Sequence, residues 1–491
     1  MQCSLKVLTN AVFAFFFIIV SQQGLISQST SGVSSTPNVS LPGSQSPFQG
    51  SSPEGNATPE VLQIDFKDAI ERGLRNNLGL LLATDQAESA RGQRWRQLSE
   101  LLPNVGGRIQ ETAETESLAA LGFRKLAPFF AAPGSTPAAF PAVTPAFNYF
   151  DARLSVSQSV FNFRNLENER ASLENLRSAQ FTYKNARELV VLAVGNAYLQ
   201  AIAASARVET TEAQVRAAQA LSNKATDQQK AGLTPAIDAL RSQVELQTRQ
   251  QQLIAARNDL AKLTLSVARI IGLPLGQQFV LTEKAPYQAL TPLPLETYLQ
   301  RAYTGRSDYQ AAVAQLRGAE LSRRAASAGR YPTVDLSANA GEIGVTPSQL
   351  SGTWQVNGGV SIPIFAGNRV HADVLQADAQ VRQARSQLGD LRGQIDYQVR
   401  AALLDLTSAA QQVEVARSSV DLAEQTLAQS QDRFTAGVAD NLEVVQAQES
   451  VAAAHESYIE SLYAHNLSKV ELAYVIGDAE QSVKRYLKGV Q

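Results

Sequence analysis

The amino-acid sequence repeats one plan twice. Lys230 to Gly272 (KAGLTPAIDALRSQ…ARIIG) and Thr435 to Gly477 (TAGVADNLEVVQAQ…AYVIG) align without a gap at an offset of 205, placing Gly232 over Gly437 and Gly272 over Gly477. Upstream, Phe161 in QSVFNFRN matches Phe365 in IPIFAGNR at 204, while Leu102-Pro103-Asn104-Val105 matches Tyr331-Pro332-Thr333-Val334 at 229. The jump from 204 to 229 assigns 25 extra residues to the first copy, within the apolar, Pro-rich stretch Ser117 to Phe147, which reads as a long loop. A duplicated chain of 491 residues is two copies of one architecture, so whatever one half folds into, the other must fold into as well.

Each copy reads as helix, two strands, very long helix, sharp turn, helix. The first helix spans Asp65 to Glu100, and Pro103 ends it by removing a backbone donor. Arg164 to Gln229 and Asn368 to Phe434 contain no proline, and about 67 helical residues extend roughly 100 Å. Globular helices are far shorter, so these must line up with partners along their length. In the second copy Val399, Leu406, Val413, Val420, Leu427 and Phe434 recur every seven residues, alongside Val381, Leu388, Ile395, Ala402, Ala409 and Ala416. A sustained period of seven calls for left-handed supercoiling, here around antiparallel neighbours. The looser track of the first copy runs through Leu176, Tyr183, Val190, Ala197 and Ala204. The two shorter helices of each copy run against the long one and must lie end to end beside it, giving a two-helix plank.

The strand segments alternate. Val334, Leu336, Ala338 and Ala340 oppose Asp335, Ser337 and Asn339; Trp354, Val356, Val360 and Ile362 oppose Gln355, Asn357 and Ser361. Leu154, Val156 and Val160 do the same against serines, and Val105 to Thr115 does so more weakly. A half-buried soluble sheet has this pattern. So does a tilted membrane strand of about 10 residues with its polar face toward a wet lumen, with Tyr149, Phe150 and Trp354 as an aromatic girdle. Lipid tolerates no open sheet edge, so four strands from one chain must close with other chains: about eight strands for two, about twelve for three. Only the larger barrel leaves a channel.

Composition removes other classes. With 43 basic and 45 acidic side chains the chain has no basic surplus for a polyanion. Its single cysteine, Cys3, permits no intrachain disulfide or thiolate cluster, and three histidines make a histidine-rich metal site unfavourable. Lys6 followed by Ala11 to Val20 (AVFAFFFIIV) reads as a cleaved export signal over 1–28, because a bilayer-spanning helix needs about 20 apolar residues. An uncleaved anchor is the alternative. Cys3 precedes the apolar run, so the mature chain is expected to be cysteine-free and not lipidated. The expected organisation is signal 1–28, disordered Ser/Pro/Gly-rich tether 29–60, first repeat 61–272, inter-repeat linker 273–294, second repeat 295–477 and a tail 478–491.

The duplicated helix-hairpin-helix plan, the IPIFAGNR segment and the DRFTAGVADNLEVVQAQ segment together resemble the outer membrane efflux protein family of TolC-like exit ducts. The resemblance covers about residues 61–477. It implies a mainly α chain with a small β part. Long antiparallel coiled-coil helices would form a periplasmic α-barrel, and four strands per chain would build the twelve-stranded outer-membrane β-barrel of a homotrimer. The implied partners are an inner-membrane transporter, a periplasmic adaptor and outer-membrane lipid. The turns at Gly232-Leu233 and Gly437-Val438 would form the tip that meets the adaptor, besides ending their helices. Gate positions transfer to Asp238, Phe434, Glu443 and Gln446. The basic latch partner transfers to Ala439, which cannot serve, leaving Asp238 without its match.

No phosphate loop, H-E-x-x-H or G-x-S-x-G context is present, and no catalytic residue, cofactor or metal ligand is assigned. His455 and His465, ten apart on a helix, lie too far apart to share a metal and read as structural or surface residues. A periplasmic adaptor or scaffold without a membrane barrel is the competing reading of the same helices, and a receptor using the Ser117 to Phe147 loop is a third.

Overall fold

The computed structural model describes the chain apart from residues 1–45, 54, 123–141, 233, 284–286, 291–292, 347, 440 and 488–491, and apart from the side chains of 484–487. The expected signal, the first part of the expected tether and the middle of the long loop lie outside the described residues.

The first copy contains β1 (Leu62–Ile64), α1 (Phe66–Asn76), α2 (Leu78–Ser99), β2 (Asn104–Glu114), β3 (Phe147–Phe161), α3 (Phe163–Lys230) and α4 (Ala236–Ile271). The second contains β4 (Phe279–Leu281), α5 (Leu295–Gly305), α6 (Ser307–Ala328), β5 (Thr333–Gly344), β6 (Ser351–Ser361), α7 (Arg369–Thr435) and α8 (Asn441–Val475), followed by α9 (Ala479–Leu487).

The expected unbroken helix from Asp65 to Glu100 is two helices. Asn77 adopts an extended conformation, its side chain accepts from the Gly79 amide to cap α2, and its amide donates to the Phe48 carbonyl at 2.7 Å. Arg306, 229 residues on, breaks the second copy in the same way. Its guanidinium, almost fully buried, binds Asp308 and the carbonyl of Val475. Neither break carries a proline or glycine at the breaking residue; each is bought by contacts distant in sequence.

The expected disorder of the tether does not extend to residues 46–60. A 3₁₀ turn at Pro47–Gln49 leads Phe48 onto Gly79, Ser52 donates to Asn76, and Gln277 holds both Thr58 and Glu60. One inserted aromatic ring and a run of backbone hydrogen bonds replace the apolar core that its composition lacks. In the first part of the expected tail, α9 buries Ala479 and Val483 and binds Arg187 of α3 through Glu480.

The main core lies where the helix breaks, the parallel β1–β4 pair and the middle of the long helices meet. Val190, Tyr198, Ile395, Leu406 and Leu472 are almost wholly buried there, and the Tyr198 hydroxyl donates to the Ile64 carbonyl at 3.2 Å. This burial accounts for an 18-residue window in α3 with mean hydropathy 1.7, long and apolar enough to cross a bilayer. The heptad track of α7 points inward as its period requires, with Val381, Leu388, Val399, Val413 and Phe434 buried.

One order governs every level. The sheet runs β2-β3-β5-β6, and α2, α3, α6 and α7 touch in that sequence on the sheet side of the core. On the turn side the sequence is α4, α3, α8, α7. The elements α2, β2 and α4 therefore share one edge, and β6 and α7 the other.

Candidate functional site

Two regions can carry function, the four-stranded sheet and the helical tip. Register decides the chemistry of the sheet. Val105, Val156, Ala338 and Val356 form one cross-strand row, and Gly107, Leu154, Ala340 and Trp354 the next. These rows make an apolar face, and Val105 is 71% and Trp354 78% exposed. The intervening rows are polar: Asn104, Ser157, Ser337 and Asn357, then Gly106, Ser155, Asn339 and Gln355. Arg153 sits on the polar face, pairing with Asp151 at 2.6 Å and donating to Asn339 at 3.1 Å. Toward the loop end the apolar face stops at Glu111 and Glu342. The expected girdle is narrower than three residues, because Phe150 shares the face of Trp354 whereas Tyr149 points to the polar side. Within the chain β2 and β6 each have one unpaired edge.

At the other end Gly232 and Gly437 adopt left-handed φ values of 73° and 72°. At the second turn the Gly437 and Val438 amides bond back to the Phe434 and Arg433 carbonyls, closing the helix in a Schellman motif. Val438 is exposed, and Leu233 lies outside the described residues.

The transferred gate positions lie at the turn-side ends of α4, α7 and α8. Phe434 is buried between Leu221 and Val444, with the Lys224 ammonium 5.6 Å from its ring centre. Glu443 is half-buried and bound by Arg433 at 3.3 Å and by the Ser430 hydroxyl at 3.3 Å. Asp238 is buried; its carboxylate lies 3.8 Å from Arg241 and its carbonyl accepts from the Asn441 side chain at 3.0 Å. Gln446 is exposed on α8. Arg433, Arg241 and Asn441 are the partners that sequence reasoning missed. Arg241 lies three residues after Asp238 on the same helix, a spacing that could have pointed to it, whereas Arg433 reaches Glu443 from the other helix of the hairpin.

Above the tip, a cleft of about 570 Å³ between α3, α4 and α8 is lined by Arg207, Glu245, Arg249 and Glu456 among others. Arg249 and Glu245 form a buried pair at 2.6 Å, and Arg207 binds Glu456 across the helices. Nearer the core, His465 and Lys469 are fully buried on successive turns of α8, and both reach the Gln288 carbonyl. Burial pushes the Lys469 ammonium down to about 8, and burial followed by Lys469 lowers His465. His455 instead pairs with Glu424 at 3.1 Å.

Proteins of known kind resemble this chain in sequence and fold. The chain is 23% identical over 257 residues to the probable outer membrane lipoprotein SilC of Salmonella typhimurium, covering 49% of this chain and 53% of that protein. It is 21% identical over 350 residues to outer membrane protein TolC of Escherichia coli, covering 67% and 70%. Among solved structures, the outer membrane protein VceC of Vibrio cholerae superposes with a TM-score of 0.69 at 19% identity over 84% of this chain and 96% of that one. The Campylobacter jejuni CmeC outer membrane channel superposes with a TM-score of 0.70 at 16% identity over 93% and 98%. The sequence profile of the outer membrane efflux protein family matches residues 142–273 and 298–478, so the chain belongs to that family.

Proposed function

We propose that the chain is a passive exit duct, three copies of which close a β-barrel in the outer membrane and continue it as a helical tunnel through the periplasm. The observation that carries this reading is the sheet. A four-stranded sheet with an exposed apolar face, a hydroxyl- and amide-lined opposite face and two unpaired edges is unstable in water. In lipid the same sheet is satisfied once further copies pair its edges. TolC and the CmeC channel, named as outer-membrane proteins, support the location. The exposed turns at Gly232 and Gly437 then serve as the contact for a periplasmic adaptor, which couples the duct to an inner-membrane transporter. Asp238, Phe434, Glu443 and Gln446 are assigned to the neighbourhood of the periplasmic mouth, and residues 1–28 to a cleaved export signal.

The test places one charge on each face. Val156→Arg puts an arginine on the apolar face and costs about 2–4 kcal/mol if that face meets lipid; Ser155→Arg puts it on the polar face. Loss of the heat-resistant oligomer from outer-membrane fractions for Val156→Arg alone, with altered single-channel conductance for Ser155→Arg, is expected. Equal tolerance of both variants, or a soluble monomer, would exclude the duct.

A further inference from the structure

Charge is placed unevenly on the polar face of the sheet. By register that face carries Asp335 beside the helices, Arg108 and Arg153 in one row at mid-sheet, Asp151 one row farther and Glu114 at the loop end. Glu111 and Glu342 stand on the other face. The two arginines are direct cross-strand partners on β2 and β3, and their row continues through Gly341 to Thr353. Like charges set opposite each other weaken a strand pair, so the row keeps its charge at a cost.

The two side chains are held differently. Arg153 is pinned to the wall by Asp151 at 2.6 Å and by Asn339 at 3.1 Å. Gly341 leaves the space that its stem crosses, since a Cβ there would lie 2.7 Å from Arg153 Cγ. Arg108 is exposed, and its guanidinium joins no ion pair or side-chain hydrogen bond among the described residues. Asp151, the carboxylate nearest to it on this face, is already engaged by Arg153. Asp335 and Glu114 each stand six residues along their strands from the row, about 20 Å at ~3.3 Å per residue, which exceeds two Debye lengths. At the end of the row the Thr353 hydroxyl has no hydrogen-bond partner among the described residues.

Closing the barrel does not cancel this charge. The strand with the other unpaired edge is β6, whose residues SGTWQVNGGVS include no carboxylate to bring against Arg108. Each copy then sets two guanidiniums and one carboxylate at one height of the wall, and a lumen enclosed by lipid focuses their field. We propose that Arg108 and Arg153 form a cationic belt in the barrel that holds small anions weakly and favours the exit of carboxylate- or phosphate-bearing solutes. Arg108 is the free ligand of the belt, and Arg153 is its fixed neighbour. Pores that admit anions or phosphate use rings of arginine or lysine in this way. The inference deepens the duct reading, on whose lumen it rests, by naming a class of cargo.

Planar bilayers carrying the full chain provide the test. In a potassium chloride gradient, Arg108→Gln removes a unit charge about 8 Å from the passing ion and should lower chloride permeability relative to potassium about twofold. Arg108→Glu should lower it further, and citrate should block the parent's chloride current more strongly than that of either variant. Both variants should assemble, because Arg108 has no side-chain partner to lose. With Cys3 replaced by serine, Arg108→Cys should react with methanethiosulfonates from the aqueous phase. The trimethylammonium reagent should restore the parent's permeability ratio, and the sulfonate reagent should depress it below that of Arg108→Gln. Ile109→Cys, on the apolar face, should stay unmodified. An unshifted ratio in Arg108→Glu, equal citrate block in parent and variants, or an unreactive Arg108→Cys in conducting pores would overturn the belt and leave the duct standing. A chain that never conducts would overturn both.

Discussion

Arg433 Nε lies 3.3 Å from Glu443 Oε1, tying α7 to α8 across the turn at Gly437. The pair is solvent-accessible, with side chains 57% and 38% exposed, so it contributes little to stability, within about 1 kcal/mol. Its local charge matters more. Glu443→Gln leaves Arg433 unneutralised, and in a ring of copies the change repeats around the axis. The expected result is a nearly unchanged melting temperature and a reversal potential shifted away from cation selectivity in planar bilayers. An unshifted potential would remove Glu443 from the conduction path.

Gly477 and Gly437 share a left-handed φ, 75° and 72°, but not their surroundings. A Cβ on Gly477 would lie 2.5 Å from the Arg306 backbone nitrogen, whereas one on Gly437 meets nothing within 4 Å. Gly437→Ala should therefore cost about 1 kcal/mol, the left-handed penalty alone. Gly477→Ala adds a backbone clash at the second helix break and should cost several times more, read as the difference in thermal midpoints.

Phe48 occupies space that only glycine leaves at position 79: a Cβ there would sit 2.4 Å from the ring. Gly79→Ala should displace the ring and free the 46–60 strap, at a cost of roughly 1–3 kcal/mol. Limited proteolysis should then cut within 46–60 faster than in the parent. Phe48→Ala should give the same cleavage, and adding Gly79→Ala to it should add little, because the two act on one contact.

Lys469 is charged below about pH 8 in the folded chain, and its pKa is depressed from 10.5 by burial. The folded state then binds fewer protons than the unfolded one between those values, so stability rises with pH across that window. The penalty is fully present at pH 7, about 3 kcal/mol at ~1.4 kcal/mol per unit. Lys469→Met should raise the midpoint of thermal unfolding at pH 7, less the lost bond to Gln288. Its advantage should shrink steadily toward pH 10. A constant advantage would mean that Lys469 stays protonated in the folded chain across this window, its pKa not depressed by burial.

The architecture was legible because it is periodic and repeated. Proline-free runs and sevenfold spacing specify long antiparallel helices. Strict alternation from Val334 to Ala340 and from Trp354 to Ile362 specifies two-faced strands. Matched glycines at 232 and 437 specify the turns. These signals are local, and backbone geometry turns them into structure without knowledge of the neighbours. The gate was less legible, because a carboxylate such as Glu443 acquires its meaning from whichever cation stands opposite, and Arg433 comes from the other helix of the hairpin.

By itself the sequence determined the element order, the duplication and the exclusion of sulfur and polyanion chemistry. Tertiary structure decided the helix breaks at Asn77 and Arg306, the contacts that hold residues 46–60 and the docking of α9. The physical reason is the same in each case. A capping bond to Phe48, a guanidinium reaching Val475 or a ring lodged over Gly79 joins residues far apart in the chain, and local sequence carries no record of such a partner.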